Sequence, residues 1–549
     1  MTHFWTKLGR SLRNFRTARR GNVATTFALA ALPVLATVGF SVDYSNANSV
    51  KAAMQSALDS TALMLSKDAA TINNTQLQAK AKTYFEALFT RPDAKNITIA
   101  ASYTAEGGST VVVNGSADVP TNLLGIIGYN QITVKGSSTS KWGSTRLRVA
   151  LVLDTTGSMS DDGKMPALKS ATKGLLEQLQ SAASTNGDVY VSIVPFSKNV
   201  NLGSGNFNAS YIDWTDWEAE PATLSSKPSG WDQVGPGSPC PFTNNNHGFV
   251  CAPSPTSTST TSSIPSSGTY SGYICPATDS GRKDSTKIGI RYNGCYTSVE
   301  KTRTISSGSS ASCGSTVNCS CSGSGSKKVC TQTYFDHPWV VNAKSTWNGC
   351  VTDRGNASGP VSNYDRLVTA PSANIAASKY PAEQNAYCSP EVVGLNYNWA
   401  AMHTLVNNLY PLGATNQPIG LVWGWQTLVG GGPFTAPPKD SQYTYTDVIV
   451  LMSDGLNTLN RWSGNGSSTS TAVDARMVDS SGAGTCANIK AAGITIYAVH
   501  VNTDGDPMST LLKNCASQDD KFWMVTSANG LGSVFSAIGS NLTKLRVAK

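Results

Sequence analysis

The chain has 549 residues, enough for more than one domain with a real core, and only 14% of them are charged. Its formal net charge is +8, yet Lys7, Arg10, Arg13, Arg16, Arg19 and Arg20 supply six of those charges within the first twenty residues. The rest is close to neutral, so the body lacks the electrostatic footprint of a nucleic-acid binder.

Residues 1–21 read as a basic cytoplasmic segment and residues 22–43 as a membrane span. From Gly21 to Val42 there is no charged residue, and Phe27 to Phe40 is almost wholly apolar. Twenty-two helical residues rise about 33 Å, the depth of a hydrocarbon core. By the positive-inside rule the N-terminus stays in the cytoplasm and everything after Asp43 is exported. A cleaved signal peptide shares the basic-then-apolar plan, but no A-x-A site follows the apolar stretch, which favours a retained anchor. Pro33 is expected to bend the span.

Apolar residues continue at helical spacing through Val50, Met54, Ala57, Leu58, Ala62 and Leu65, and again at Leu77, Ala81, Phe85 and Leu88. Short β-prone pieces follow, Ile97–Ala100 and Thr110–Val113, broken by turn residues at Glu106–Ser109 and Asn114–Gly115. Residues 44–140 therefore predict a long helix with a small antiparallel sheet packed on it. Ser137–Ser140 reads as a hinge.

From Arg146 the pattern becomes βαβ and predicts a doubly wound parallel sheet over 146–549. Leu151–Leu153 ends in Asp154, Thr156 and Ser158, and Val448–Met452 ends in Ser453, Asp454 and Gly455. Apolar runs of this kind are buried parallel strands, and ligand sites gather at their carboxyl ends. The carboxylates and hydroxyls of Asp154, Thr156, Ser158 and Asp454 are hard oxygen donors, suited to Mg²⁺, Mn²⁺ or Ca²⁺. The bland alternative is that both carboxylates only cap turns and helices. His500, at a strand end, reads as a satisfied structural residue, and Trp423 and Trp425 as packing against the sheet.

Residues 200–395 interrupt the pattern with Ser, Gly, Thr, Asn and Pro, as in Ser254–Ser263, and predict an insertion without a core of its own. It is expected to hang from the loop edge of the sheet. Ten of the twelve cysteines lie between Cys240 and Cys388, which in an exported segment reads as disulfides. Cys313, Cys319, Cys321 and Cys330 lack the paired C-x-x-C spacing of a zinc site. There is no HExxH, no G-x-S-x-G, no G-x-x-x-x-G-K-[ST] and no G-x-G-x-x-G, so no enzyme is expected. A metal-dependent hydrolase would need a base that the sequence does not show.

Two resemblances sharpen these readings. Asp154-Thr155-Thr156-Gly157-Ser158 resembles the D-x-[ST]-x-S loop of the metal-ion-dependent adhesion site in von Willebrand factor type A domains. That resemblance implies a third hydroxyl from a separate loop, for which Thr415 fits by position, and a partner carboxylate completing the metal shell. Arg20 to Leu29 resembles the N-terminal segment of Tad-type pilus assembly proteins and their pilin-like relatives. Processed prepilins carry Glu five residues after the Gly at the cleaved bond; here that residue is Thr26, which favours a retained protein. The implied chain is a single-pass protein of the bacterial inner membrane with a pilin-like α+β stalk, its body periplasmic or surface exposed. Its partner would be a pilus or envelope protein; a minor pilus-tip subunit released by processing is the alternative. Tad-type relatives of this layout also imply Cys486–Cys515 and Cys350–Cys388 disulfides; the pairing of the other eight stays open.

Overall fold

The computed structural model describes residues 22–106, 108–142, 145–220, 227–242, 250–257, 259–276, 292–358, 362–431 and 433–547. The basic block and Gly21 lie outside them. The chain divides into two compact units, with Arg146–Asp440 and Tyr445–Leu545 forming the larger.

The smaller unit is built on α1 (Asn22–Leu65), a single 44-residue helix containing Pro33. By length and composition it could cross a membrane. Beyond Asp43 its stripe of Ala47, Val50, Met54, Ala57, Leu58, Ala62 and Leu65 is buried, as the 3–4 spacing requires. Helix α2 (Asn74–Leu88) starts at a capping box: Gln76 N–H donates to Asn73 Oδ1 at 3.0 Å and Asn73 N–H to Gln76 Oε1 at 3.1 Å. It buries Leu77, Ala81 and Phe85, while Leu88 is exposed. Strands β1 (Lys95–Thr104), β2 (Ser109–Pro120) and β3 (Gln131–Trp142) form an antiparallel sheet in that order. The expected hinge at 137–140 is corrected: these residues lie inside β3, paired with Val111–Asn114 of β2. Their Ser and Thr side chains mimic loop composition, but in a half-buried strand the ladder, not the side chain, holds the backbone.

The larger unit has a six-stranded sheet. Its strands are β4 (Thr145–Asp154), β5 (Val189–Phe196), β6 (Val393–Asn396), β7 (Thr444–Ser453), β8 (Thr495–Val501) and β9 (Phe522–Val525), in the order β6-β5-β4-β7-β8-β9. The pairs β4/β5, β7/β8 and β8/β9 are parallel, whereas β6 runs antiparallel along β5, so the sheet is mixed rather than wholly parallel. Both faces of β4 are buried, with period two. Leu147, Val149, Leu151 and Leu153 pack with α3 (Lys164–Ala182), α4 (Trp399–Asn407) and α9 (Leu531–Val547). Ala150 and Val152 pack with α5 (Gln417–Val429), on the face that also gathers residues of α6 (Thr471–Met477), α7 (Thr485–Ala491) and α8 (Thr510–Cys515). Chain order leaves β4 toward β5 on one side and resumes at β7 on the other, so the strand order switches direction between β4 and β7, where ligand sites of open α/β sheets gather.

The expectation of an insertion without a core of its own is corrected in two respects. Trp217, Trp347, Val351 and Tyr380 are buried in the same cluster as Phe196 and Trp423, with the Tyr380 and Trp423 rings 4.5 Å apart. Its two ends therefore extend the sheet's core, because scattered aromatics bury much area without a periodic pattern. The middle has a small cluster of its own around Phe242, Ile264, Ile274 and Tyr296. All twelve cysteines are paired: 240–251, 275–295, 313–319, 321–330, 350–388 and 486–515. The two pairs implied by resemblance are among them. Trp423 and Trp425 are buried against the sheet.

Candidate functional site

The run Val149–Leu153 forces β4 through the core, and Asp154 is where it leaves. The Asp154 carboxylate is fully buried: Oδ1 accepts from Thr156 N–H at 2.8 Å and Oδ2 from Ser453 Oγ at 2.6 Å. The first contact is the turn-closing role expected of a strand-end Asp. The second joins it to β7. In return Ser158 Oγ donates to Asp454 Oδ1 at 2.9 Å, and the Thr156 and Ser158 hydroxyls lie 3.2 Å apart. Asp154, Thr156, Ser158 and Asp454 are thus brought together. Burial, and then the nearby charge of Asp454, push the Asp154 carboxyl well above the ordinary carboxylate range against the hydrogen bonds that lower it.

Thr415 is buried on the loop between α4 and α5. That loop is laced to the first one, with Leu412 N–H donating to Thr155 O at 2.8 Å and Gly157 N–H to Gly413 O at 2.9 Å. Gly413 has φ +84°, which suits glycine at this turn. Thr415 N–H donates to Thr458 Oγ1 at 2.9 Å, but among the described residues its own hydroxyl makes no hydrogen bond to the other four.

Lys164, Asp504, Gln417 and Ser453 support the site. Lys164 Nζ, its side chain 1% exposed, lies 3.2 Å from Asp454 Oδ2 and 2.9 Å from Asp504 Oδ2. Burial lowers the affinity of this ammonium for its proton, but Asp504 and Asp454 outweigh it, and the net shift is upward. A lysine in the first turn of α3 opposes the helix dipole, and that anomaly is the signal the sequence carries. Gln417, the first residue of α5, donates through Nε2 to Ser453 Oγ at 2.9 Å and to Gly455 O at 2.7 Å, so a third loop orients the hydroxyl that holds Asp154. Burial lowers the pKa of His500, which accepts from Ser509 N–H at 3.4 Å; it is a packed strand residue.

Behind this cluster lies a second, sealed one. Lys198 Nζ is 2.9 Å from Glu383 Oε1, and Asn199 and Asn385 amides donate to Glu383 Oε2. Asn416, next to Thr415, donates to both oxygens of Asp353 at 3.1 and 3.0 Å, and Arg461 N–H donates to Asp353 Oδ2 at 3.1 Å. Asp353 and Glu383 belong to the returning half of the insertion, so insertion and Thr415 loop share one buried network.

The model of the putative Flp pilus-assembly TadE/G-like family matches residues 21–65. No curated protein matches the chain. Among solved structures it is similar to the pilus adhesin SpaC from Lactobacillus rhamnosus GG at 11% identity and TM-score 0.29, covering 83% of this chain and 36% of SpaC. The chain thus spans about a third of that protein's length. It is similar to the vWF domain of the type V pili tip protein Mfa5 from Porphyromonas gingivalis at 8% identity and TM-score 0.30, covering 73% of this chain and 96% of that one. It is also similar to the PilB minor pilin from Streptococcus sanguinis at 11% identity and TM-score 0.30, covering 84% and 81%. Residues 21–65 thus match the model of the TadE/G-like Flp pilus-assembly family, and a mixed α/β body follows them.

Proposed function

We propose that the chain is a membrane-anchored, exported component of a Tad-type pilus, with its N-terminus cytoplasmic. In this reading the larger unit is a doubly wound von Willebrand factor type A domain that binds a protein partner at the Asp154–Asp454 end of its sheet. The observation that best supports this reading is the joining of two motifs 296 residues apart, Ser158 to Asp454, reciprocated by Ser453 to Asp154.

The donor set fits a hard divalent cation. Two repelling carboxylates with buried side chains are relieved by positive charge, and the hydroxyls of Thr156, Ser158 and Thr415 complete the oxygen donors. Held by Asp154, Thr156, Ser158, Thr415 and Asp454, Mg²⁺, Mn²⁺ or Ca²⁺ would supply Lewis acidity toward a partner carboxylate. The chain's own residues do the positioning. Gln417 orients Ser453, Ser453 and Thr156 N–H fix Asp154, and exposed Ser158 forms the rim a partner reaches. The proposed activity is binding without turnover, since no catalytic motif accompanies the site.

One observation favours a second reading: Lys164 already provides a cation against Asp454 and Asp504, so the cluster could be an internal ion network. Calorimetric titration of the full chain with Mg²⁺ separates the two. The adhesion-site reading expects one site, lost in Asp154→Ala and in Asp454→Ala. Unchanged Mg²⁺ affinity in both variants removes it, and no Mg²⁺ binding even in Lys164→Met assigns the cluster to the lysine.

A further inference from the structure

Among the described residues of the smaller unit, one turn exposes a run of apolar side chains. The turn between β2 and β3 presents Leu123, Ile126, Ile127 and Tyr129 to the outside, with Ile126 80% and Tyr129 68% exposed. The turn closes on itself through Tyr129 N–H to Leu124 O at 3.1 Å and Thr121 N–H to Asn130 O at 3.1 Å, so the exposure belongs to an ordered loop.

Two contacts clamp this turn to α1. The buried Asp43 carboxylate accepts from three successive backbone N–H groups, those of Asn122, Leu123 and Leu124, at 3.0, 2.9 and 2.7 Å. One helical turn earlier, Leu123 lies over Gly39, where an added Cβ would come within 2.7 Å of Leu123 Cβ. Positions 39 and 43 share a helix face, and only a glycine there admits the turn so closely. The turn is therefore held beside the uncharged segment rather than past its end. Ala36, Phe40 and Tyr44 line one cavity with Leu124, Ile127 and Tyr129. Ala36 lies about 10 Å along the axis from Asp43, at the usual helical rise.

We propose that the Leu123–Tyr129 turn enters the boundary between headgroups and acyl chains of the bilayer that α1 crosses, as a second membrane contact. This rests on the reading of α1 as a membrane anchor. Three observations point to lipid. The turn packs beside Ala36 and Phe40 of the span, along which α1 also leaves Val34, Leu35 and Val38 exposed. Tyr44 and Tyr129 combine an apolar ring with a polar tip, the residue type that settles at that boundary. The Asp43 and Gly39 contacts hold the turn at the end of the uncharged segment, where an interfacial apolar group would sit. One spanning helix can rotate about its own axis; a second contact on one side of it fixes that rotation and so the direction in which the smaller unit faces.

The test uses the full chain in proteoliposomes. Because all twelve cysteines are in disulfides, an introduced thiol is labelled alone. An environment-sensitive fluorophore is placed in Ile126→Cys, in Leu35→Cys within the span, and in Glu106→Cys at the far end of the β1–β2 hairpin. Lipids carrying a nitroxide quencher at shallow or deep acyl positions are then compared. The proposal expects a blue-shifted Ile126→Cys label that loses emission to the shallow quencher, a Leu35→Cys label that loses emission to the deep one, and a Glu106→Cys label affected by neither. Tyr129→Cys, on the same turn, gives the same result should a label at 126 disturb the loop. If both turn labels behave like Glu106→Cys while Leu35→Cys is quenched, the anchor stands and the docking is overturned. Turn labels that are blue-shifted yet insensitive to both lipids report protein cover, such as a second copy, and also overturn it. An unquenched Leu35→Cys removes the anchor reading and the proposal with it.

Discussion

The larger unit contains two clusters of buried charge, and they are built differently. In the sealed one, Glu383 faces Lys198 and Asp353 is met by the Arg461 backbone and Asn416, all of them buried or nearly so, while the Arg461 side chain leads out to Asp216, half-exposed at the rim. Carboxylates and cations there are close to balanced, and the amides of Asn199 and Asn385 take the remaining acceptor capacity of Glu383. At the strand ends, Lys164 pairs with Asp454 and Asp504, Asp154 has no ion pair among the described residues, and one edge is open at Ser158 and at Asp504, whose side chain is 51% exposed. A balanced, closed cluster is a structural device. An acidic cluster with an open edge is what the proposed cation site requires.

The comparison breaks first, and most visibly, on stability. Glu383→Gln should cost about 3–5 kcal/mol, because it leaves the Lys198 ammonium buried without its carboxylate. Denaturant unfolding of the oxidised protein measures this as a shift of midpoint. The pH dependence has a fixed sign. Burial alone pushes the Glu383 pKa up, but Lys198 and the two amides outweigh it, and the net position is below the ordinary glutamate range. Its stabilisation is therefore complete above the unfolded-state pKa and is lost as pH falls through the lower folded one. Glu383→Gln should remove that acid-side loss, and an unchanged acid limb in the variant would show that the cluster is not paired as described.

At the open cluster the order of effects reverses. Asp154→Ala should abolish Mg²⁺ binding yet leave stability within about 1 kcal/mol of the parent, since the lost hydrogen bonds are offset by relief of a buried carboxylate facing Asp454. A loss as large as that of Glu383→Gln would place both clusters in the structural class. Lys164→Met sharpens the contrast further. Removing a cation that competes for Asp454 should raise Mg²⁺ affinity about tenfold, equivalent to about 1.4 kcal/mol.

How much of this contrast is legible in the sequence follows from its geometry. Asp154, Thr156 and Ser158 are contiguous, and Asp454 ends an apolar run, so local pattern suffices for them. Lys164 is visible only as a cation at the wrong end of a helix, and Ser453 as one more serine; what gives them roles is a contact from another strand. The sealed cluster is assembled from Lys198, Asp353, Glu383, Asn416 and Arg461, which no period links. The sheet could be anticipated because burial on both faces of β4 writes continuous apolar runs. The antiparallel β6 and the core-filling Trp217 and Trp347 could not, because their partners lie far away in sequence, and the strand over 137–140 could not, because its local composition is that of a loop.

The smallest effect tests whether the two clusters communicate. Thr415 supplies a hydroxyl to the proposed site, and its neighbour Asn416 holds Asp353 in the sealed network. Thr415→Ala should weaken Mg²⁺ binding only a few-fold, because water can replace one hydroxyl in an oxygen shell. Capture of the partner should fall further, because the orientation offered to its carboxylate depends on that ligand. Asp353→Asn acts from the other side. It keeps the side-chain volume but removes the charge and one acceptor facing Asn416, so it should disturb the Thr415 loop without touching Asp154 or Asp454. If the networks are coupled, Asp353→Asn reproduces the Thr415→Ala pattern, with capture reduced more than Mg²⁺ affinity. If Mg²⁺ affinity and capture are both unchanged in Asp353→Asn while its stability falls, the insertion only supports the fold, and specificity has to be sought in loops nearer Ser158.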